Sequence, residues 1–327
     1  MASANHISKV AIVGAGGNVG RFMTEALLKT GKHDVTALTR ADSQSKLPEG
    51  VKTKTVDYSK PETLVDALRG QEALVITISG RAPIKDIEEK LVRAAGEAGV
   101  QWILPNEWSP DSADDGIVKD VFLLGMKVAT RKLIEELGKS SYVAVLCGFW
   151  YEYSLAIANN YGFDFADRHL NMYDDGQTKL CTTTWPQVGR AVAAILSLPI
   201  QPSNGQGKQA CLDAIRNKVV YINSFNVSQM DMLASAQRVT GTKEGDWKIE
   251  KHDSHERFDV SLKFFKEGKF KTEGFTNFLY SRVFFPNGGG DFEHKGTINQ
   301  MLELPKEDLD EATKVAMERQ QATGGGH

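Results

Sequence analysis

The sequence of 327 residues has few cysteines and no long apolar run. Its three cysteines, Cys147, Cys181 and Cys211, are widely spaced and form no C-x-x-C pair, so we expect neither a disulfide framework nor a metal site. No stretch approaches the roughly 18 apolar residues of a membrane helix, and residues 1–9 lack the apolar core of a signal peptide. These absences favour a cytoplasmic location with no membrane partner.

An excess of basic residues is also missing. Lys and Arg number 39 against 42 Asp and Glu, which gives a net charge of −3, so no overall field attracts nucleic acid. Hydrophobic residues make up 41% and charged residues 25%, which is typical of a globular protein and excludes disordered and fibrous classes. We expect a monomer or homodimer whose partner is a small-molecule substrate.

Short β-branched runs alternate with helical patterns over the first 150 residues. The predicted strands are Val10–Val13, Asp34–Thr39, Lys52–Val56, Ala73–Ile78, Trp102–Leu104 and Tyr142–Leu146. The predicted helices are Arg21–Thr30, Pro61–Leu68, Ile87–Ala98 and Leu124–Leu137. Such alternation is typical of βαβ units. The sequence therefore predicts an α/β fold with a doubly wound parallel sheet and a smaller, mixed C-terminal lobe.

A glycine-rich motif, Gly14-Ala-Gly-Gly-Asn-Val-Gly20, separates the first predicted strand from the first predicted helix. Glycine permits a tight turn there and lets backbone N–H groups approach a pyrophosphate, while the helix N-terminus attracts its negative charge. The alternative is a tight turn without a ligand. We expect cofactor binding by the following residues of the turn: Gly14, Ala15, Gly17, Asn18, Val19 and Gly20.

The second predicted strand is followed by Arg40, at the position where an NAD site presents an acid to the ribose 2′-hydroxyl. Lys46 follows in the same loop, and the strand end itself carries no acid. An Arg–phosphate contact gives roughly a 10- to 150-fold preference for a 2′-phosphate. The cofactor predicted from these residues is NADPH, although an exposed arginine and lysine are also compatible with plain surface charges.

Domain boundaries follow from where the alternation of predicted strands and helices stops. Residues 1–150 should form an NADP-binding Rossmann domain, with residues 184–241 packing back on it. That returning segment contains a predicted helix Trp185–Leu198, a strand Lys218–Ile222 and a helix that begins near Ser224–Ser228 and ends at Gly241. Residues 151–183 and the phenylalanine-rich residues 242–327 should form a substrate-binding lobe.

In an open α/β sheet, ligands bind outside the carboxyl ends of the strands. We therefore expect the cofactor to contact residues that follow the fourth and fifth strands: Thr77, Ser79, Gly80, Pro105 and Asn106. The aromatic residues nearby, and one histidine further on, are candidate substrate-binding residues: Trp108, Phe149, Trp150, Tyr151 and His169. Ordinary packing between lobes, or an exposed loop histidine, is the alternative interpretation.

A Tyr-x-x-x-Lys pair, which would supply an acid in common short-chain dehydrogenases, does not occur. The remaining candidate for proton transfer is Lys127, on the helix before the sixth strand. Taken alone, a helical lysine close to Arg131 and Lys132 is more often a solvated surface residue.

Several stretches together resemble the isoflavone reductase-like branch of the atypical short-chain reductases, within the wider NmrA-like group. The stretches are Gly14–Gly20, Leu38–Arg40 with a following lysine, Trp102–Trp108 and Lys127–Glu135, in which Lys127, Arg131, Lys132 and Glu135 keep the family's spacing. The resemblance implies an NADPH-dependent reductase with Lys127 near the nicotinamide as general acid or base. Asn106 and Trp108 depart from the small hydroxyl residue and phenylalanine of plant members. Because the second half of the chain matches no plant reductase, a lignan or isoflavonoid substrate is not implied.

The leading hypothesis is a reductase that transfers hydride from NADPH to a small aromatic or quinonoid metabolite. A regulator that binds the dinucleotide as a signal, without turnover, is the alternative. A hydrolase or epimerase is disfavoured because the sequence lacks the required tyrosine pattern and a G-x-S-x-G motif.

Overall fold

A computed structural model describes residues 5–79, 83–202, 210–268, 274–287 and 289–325. The β-strands are β1 (Lys9–Val13), β2 (Asp34–Arg40), β3 (Lys52–Val56), β4 (Ala73–Ile76), β5 (Trp102–Leu104), β6 (Ser141–Leu146), β7 (Phe149–Trp150), β8 (Phe163–Asp164), β9 (His169–Tyr173), β10 (Leu180–Thr183), β11 (Lys218–Tyr221), β12 (Phe225–Val227) and β13 (Lys248–His252). The α-helices are α1 (Gly20–Lys29), α2 (Pro61–Leu68), α3 (Ile84–Ala98), α4 (Asp115–Asp120), α5 (Gly125–Leu137), α6 (Tyr151–Leu155), α7 (Ala158–Tyr161), α8 (Trp185–Ser197), α9 (Gln229–Thr240), α10 (Ser254–Lys266), α11 (Gly274–Val283) and α12 (Leu309–Thr323). Short 3-10 turns cover Phe122–Leu124, Leu212–Ile215, Glu244–Asp246 and Glu293–Lys295.

Seven strands form a sheet in the order β11-β6-β5-β4-β1-β2-β3, and every neighbouring pair is parallel. Strands such as β1 and β4 are almost continuously apolar because both faces of a parallel sheet are covered. The strand order reverses between β1 and β4, and ligands of open α/β sheets bind at such a point. The predicted doubly wound fold is confirmed.

Alternate residues of the strands point to two separate cores. On one face, Val10 and Ile12 of β1 pack with α1 and α8. On the other face, Ala11 and Val13 pack with α2, α3 and α5. Full burial of an aliphatic side chain stabilises the fold by about 1.5–3 kcal/mol, so these two layers hold the sheet rigid.

The remaining residues build a lobe with two mixed three-stranded sheets. One has the order β12-β10-β7 and the other β13-β9-β8, and each combines a parallel with an antiparallel pair. Their core contains aromatic side chains from β7, β8 and α11, together with apolar residues of α9 and α12. No helix among the described residues is long and apolar enough to cross a membrane.

The segment 184–241 is divided between the seven-stranded sheet and the lobe. Residues of α8 and β11 pack on the sheet, whereas β12 and α9 pack in the lobe. The helix expected to begin near Ser224–Ser228 starts only after Ser228, whose hydroxyl accepts a hydrogen bond from the backbone of Asp231, and residues Phe225–Val227 form β12 instead. An alternating apolar–polar–apolar triplet suits a strand better than a first helical turn, which explains this difference.

Candidate functional site

The glycine turn joins the ends of β1, α1 and β4. Gly14 has a φ of +82°, and its carbonyl accepts a hydrogen bond of 2.9 Å from the Gly17 N–H. A Cβ on Gly20 would overlap the Gly14 carbonyl, and a Cβ on Gly14 would overlap the Thr77 carbonyl. The turn therefore requires glycine at these two positions, as the motif predicts.

The buried and the exposed residues of this turn have different roles. Ala15 and Val19 are buried and anchor the loop, while Gly17 and Asn18 are exposed at the N-terminus of α1. The buried Thr24 hydroxyl donates to the carbonyl of Gly20 at 2.8 Å, which fixes the first helical turn. The exposed backbone beside a helix N-terminus is suited to an anionic ligand.

Arg40 ends β2, and its side chain is 59% exposed. Its Nε lies 3.0 Å from Oδ1 of Asp42, an acid that follows two residues beyond the end of the strand. Lys46 is exposed, and its carbonyl lies so close to Gly16 that a Cβ there would approach it to 2.7 Å. The loop that carries both cations thus folds against the glycine turn.

Asn106 links the ends of β4 and β5. Its side-chain amide accepts from the Ile78 N–H at 3.1 Å and donates to the Ile78 carbonyl at 3.2 Å. Strand β4 ends at Ile76, two residues earlier than predicted, and this side-chain pairing takes the place of a backbone ladder at Ile78. The backbone N–H of Asn106 donates a hydrogen bond to Oε1 of Glu88 at 2.7 Å.

Lys127 points from α5 to the same place. Its Nζ donates to the carbonyl of Asn106 and, at 2.7 Å, to the carbonyl of Glu107. Burial lowers the pKa of the Lys127 ammonium, while the carboxylates of Glu107 and Glu88 act in the opposite direction. Glu107 is itself buried and forms an ion pair with Arg131. Lys127 is therefore partly buried, and its ammonium is held by two backbone carbonyls, so it is not a solvated surface residue.

A cavity of about 760 Å³ opens in front of Lys127, between the carboxyl ends of the strands and the lobe. It is lined by Thr77, Ile78, Pro83, Ile84, Lys85, Asp86, Glu88, Glu89, Asn106, Glu107, Trp108, Ser109, Pro110, Leu123, Leu124, Met126, Lys127, Phe149, Trp150, Tyr153, Leu279 and Tyr280. Its size is within the range of small-molecule sites. The sequence reasoning named six of these residues: Thr77, Asn106, Trp108, Lys127, Phe149 and Trp150.

Aromatic rings form one wall of this cavity. Phe149 stacks on Tyr280 with a centroid distance of 3.9 Å and an interplanar angle of 14°. Trp150 and Tyr153 pack edge to face at 5.8 Å. Trp108 is held by a hydrogen bond of 2.7 Å from its Nε1 to the carbonyl of Ile76. These contacts fix flat apolar surfaces around the space.

Two residues expected to bind substrate lie elsewhere. Tyr151 is fully buried in the lobe, where its hydroxyl lies 2.8 Å from that of Thr313. His169 begins β9, and its Nε2 lies 3.5 Å from Glu250. Neither is among the described residues that line the cavity, since Tyr151 packs in the core of the lobe and His169 belongs to the sheet β13-β9-β8.

Two of the remaining expected cofactor contacts, Ser79 and Pro105, directly neighbour Ile78 and Asn106 along the chain. Ser79 is exposed directly after Ile78, and Pro105 is buried between β5 and Asn106. Gly80 lies outside the described residues.

Sequence reasoning missed Glu88, Glu107, Leu279 and Tyr280. The two acids could have been noticed because they interrupt apolar patterns, in α3 and directly after β5. Leu279 and Tyr280 come from α11, more than 120 residues away along the chain, and no local pattern connects them with the sheet.

Comparison with known proteins supports this architecture. The model of the NmrA-like family matches residues 6–198. The oxidoreductase aprR of Aspergillus flavus is 28% identical over 310 residues, which cover 93% of this chain and 96% of aprR. The isoflavone reductase homolog A622 of Nicotiana tabacum is 28% identical over 45% of this chain and 50% of its own length.

A solved structure, AtPrR2 with NADP+ and (+)pinoresinol, has a TM-score of 0.74. The two proteins share 17% identity over 95% of this chain and 99% of AtPrR2, so this likeness establishes the fold. The family model, in contrast, covers more than half of the chain, including the glycine turn, the Asn106 link and Lys127. The chain belongs to the NmrA-like family.

Proposed function

We propose that the protein is an NADPH-dependent oxidoreductase that reduces a small, uncharged, planar aromatic or quinonoid molecule, with Lys127 as general acid or base. The observation that carries this proposal is the position of the Lys127 ammonium. It lies in the wall of a cavity at the carboxyl ends of β4 and β5, the same end of the sheet as the glycine turn. A related protein, aprR, is named an oxidoreductase, which agrees with it.

The residues around the turn fit NADPH. Gly14 and Gly20 allow a close-packed cradle, because a Cβ at either position would overlap a backbone carbonyl, and the N-terminus of α1 would face the diphosphate. Arg40 and Lys46 are exposed at the edge of this cradle and would hold the 2′-phosphate. AtPrR2, which has a similar fold, was solved with NADP+, and this agrees with the proposed cofactor.

When bound, NADPH supplies the hydride. The chain has to supply the proton that a reduced carbonyl or quinone oxygen takes up, and Lys127 can donate it from the cavity wall. Burial lowers the pKa of Lys127, so its ammonium gives up a proton more readily than that of an exposed lysine. The carbonyls of Asn106 and Glu107 orient the donor.

The aromatic wall supports a planar substrate. The Phe149–Tyr280 stack offers a flat face, and Trp150 with Tyr153 closes the adjoining side. Rings of this kind bind aromatic ligands in offset or edge-to-face arrangements. Stacking would place a ring close to Lys127 because all these residues line one cavity.

We further propose that residues 1–150, with α8 and β11, form the cofactor domain and that most of the remaining chain forms the substrate lobe. The separate cores of the sheet and the lobe support this division. The three cysteines are free and buried, which agrees with a cytoplasmic protein.

Two measurements test the proposal. Titration calorimetry should detect NADPH binding with a clear preference over NADH. A panel of quinones, enones and benzylic ethers should then contain a compound that accelerates NADPH consumption, followed by absorbance. Binding without turnover across the panel would favour a dinucleotide-sensing regulator, and an absence of binding would overturn both functions.

A further inference from the structure

Glu88 is a second ionisable residue that lines the same cavity as Lys127. Glu88 lies on the inner side of α3, between apolar residues such as Ile87 and Leu91, and only 2% of its surface is exposed. A buried carboxylate is costly unless hydrogen bonds and an opposite charge compensate it. Here the Asn106 N–H donates to Oε1 of Glu88 at 2.7 Å.

Asn106 connects this acid with Lys127. On one side its N–H bonds to Glu88, and on the other its carbonyl accepts from the Lys127 ammonium. Its side chain meanwhile holds the backbone of Ile78. Glu88, Asn106 and Lys127 therefore form a continuous chain of hydrogen bonds from α3 through the end of β5 to α5.

We propose that Glu88 is a positioning residue for Lys127: it fixes Asn106, which holds the ammonium, and its negative charge favours the protonated amine that donates to the substrate. This inference rests on the proposed function of Lys127. Burial raises the pKa of Glu88, and the Asn106 hydrogen bond and the charge of Lys127 offset part of that rise.

Other charged or titratable groups also face Lys127. Glu107, after β5, adds a second carboxylate, which is held by Arg131 of α5. Cys147, after β6, is buried, and its pKa is raised to about 12, so it remains a neutral thiol at ordinary pH. Both carboxylates favour the charged form of Lys127, but Glu107 is shared with Arg131, whereas Glu88 is joined to Lys127 through Asn106.

The substitution that separates charge from shape is Glu88→Gln. Its amide oxygen can still accept from the Asn106 N–H, but the negative charge is lost. We expect the pKa of Lys127 to fall by about one unit, since an opposite charge close by typically shifts a pKa by 1–3 units. The basic limb of the pH profile of kcat/KM should move to lower pH by the same amount, while the dissociation constant of NADPH changes by less than threefold.

Glu97→Gln provides the matched control, because Glu97 is exposed on the same helix and does not line the cavity. Its profile should coincide with that of the unmodified protein. A Glu88→Gln profile that also coincides would overturn the proposal. Should Glu88→Gln fail to fold, Glu88→Asp keeps the charge but withdraws it from the Asn106 N–H, so we expect a lower kcat with little change in the pH profile, and an unchanged kcat would overturn the positioning role.

A readout without turnover distinguishes this inference from the proposed function. The rate at which acetic anhydride modifies Lys127, measured by mass spectrometry across a pH series, reports the pKa of this amine directly. Loss of the Glu88 charge should lower its midpoint by about one unit. If the unmodified protein turns over no substrate, the proposed function fails, but this titration still decides whether Glu88 acts on Lys127.

Discussion

Arg40 and Asp42 form an ion pair across the end of β2, with Nε 3.0 Å from Oδ1 and both side chains more than half exposed. Asp42 would also lie close to a 2′-phosphate held by Arg40, so it should weaken NADPH binding. An exposed pair contributes about 0–1 kcal/mol, so we expect Asp42→Asn to tighten NADPH binding by up to about fivefold. Calorimetry at low and high salt should show the gain shrinking as salt is added.

Arg40→Asp provides the opposite change. Its carboxylate would repel the 2′-phosphate and accept from a ribose hydroxyl, so the preference should invert toward NADH. Asp66→Asn, which removes the exposed ion pair between Asp66 and Arg69, should leave the affinities for NADPH and NADH unchanged. An unchanged NADPH to NADH ratio in Arg40→Asp would mean that the 2′-phosphate is recognised elsewhere.

Gly20→Ala should damage the protein although alanine is the better helix former. In an open helical position this change stabilises a helix by about 1 kcal/mol. At Gly20 the new Cβ would overlap the Gly14 carbonyl, so we expect a lower melting temperature and at least about tenfold weaker NADPH binding. Gly245→Ala, where nothing lies within 4 Å of the added Cβ, is the control. Equal behaviour of the two variants would contradict a tightly packed phosphate cradle.

Much of the fold was predictable because the parallel sheet imposes strong local patterns. Strand β3 and helix α2 have the predicted bounds, β1 begins one residue earlier than predicted, and α1 is shifted by one residue at both ends. The lobe was less predictable because its strands are only two to five residues long and pair across large sequence distances. Strand β12 shows this most clearly, since three residues before a helix cap carry too little periodicity to be recognised.

The cofactor side of the site could be read from the sequence, but its substrate side could not. Gly14 and Gly20 are constrained by one local turn, which a motif records directly. Tyr151 directly follows the cavity residue Trp150, yet it is turned into the lobe by the start of α6. Tyr280 reaches the cavity only through the packing of α11. Tertiary contacts of this kind leave no trace in local spacing.

Lys127→Met should abolish turnover while the affinity for NADPH stays within about threefold. Methionine keeps much of the aliphatic volume but cannot donate to the carbonyls of Asn106 and Glu107 or to a substrate oxygen. Single-turnover absorbance measurements with calorimetry separate the two effects. Lys132→Met, an exposed lysine on the same helix, should retain full activity. Turnover in Lys127→Met equal to that of the control would remove Lys127 from the mechanism.

Glu152 should make the protein less stable as the pH rises. Burial raises the pKa of this carboxyl from 4.5 to about 7, and the Trp185 N–H at 2.8 Å offsets only part of that rise. A group whose pKa is higher in the folded state contributes its stability fully below pH 4.5 and loses it as the pH rises through about 7. By pH 8 the free energy of unfolding should have fallen by an amount on the order of 3 kcal/mol.

Glu152→Gln keeps the acceptor for the Trp185 N–H and removes the charge. Its unfolding free energy, measured with denaturant at pH 5 and pH 8, should therefore change less with pH than that of the unmodified protein. Glu318→Gln, at an exposed position of α12, should retain the original pH dependence. Parallel pH dependences for Glu152→Gln and the unmodified protein would show that another group controls the alkaline loss.

The charges of the cavity wall should select an uncharged substrate. Most of them are already compensated within the protein, through the pairs Asp86–Lys90, Glu89–Arg93, Glu107–Arg131 and the hydrogen-bonded chain from Glu88 to Lys127. Lys85 is exposed at the rim and would remain largely hydrated. Apart from Lys85 at the rim, no described residue of the lining offers an uncompensated cation, so a sulfonated quinone would bury its charge at a cost. We expect its kcat/KM to be at least about tenfold below that of the neutral parent quinone, mainly through KM. Lys85→Gln should leave this ratio unchanged, whereas equal kcat/KM values for both quinones would mean that Lys127 gives up its carbonyl partners to bind the anion.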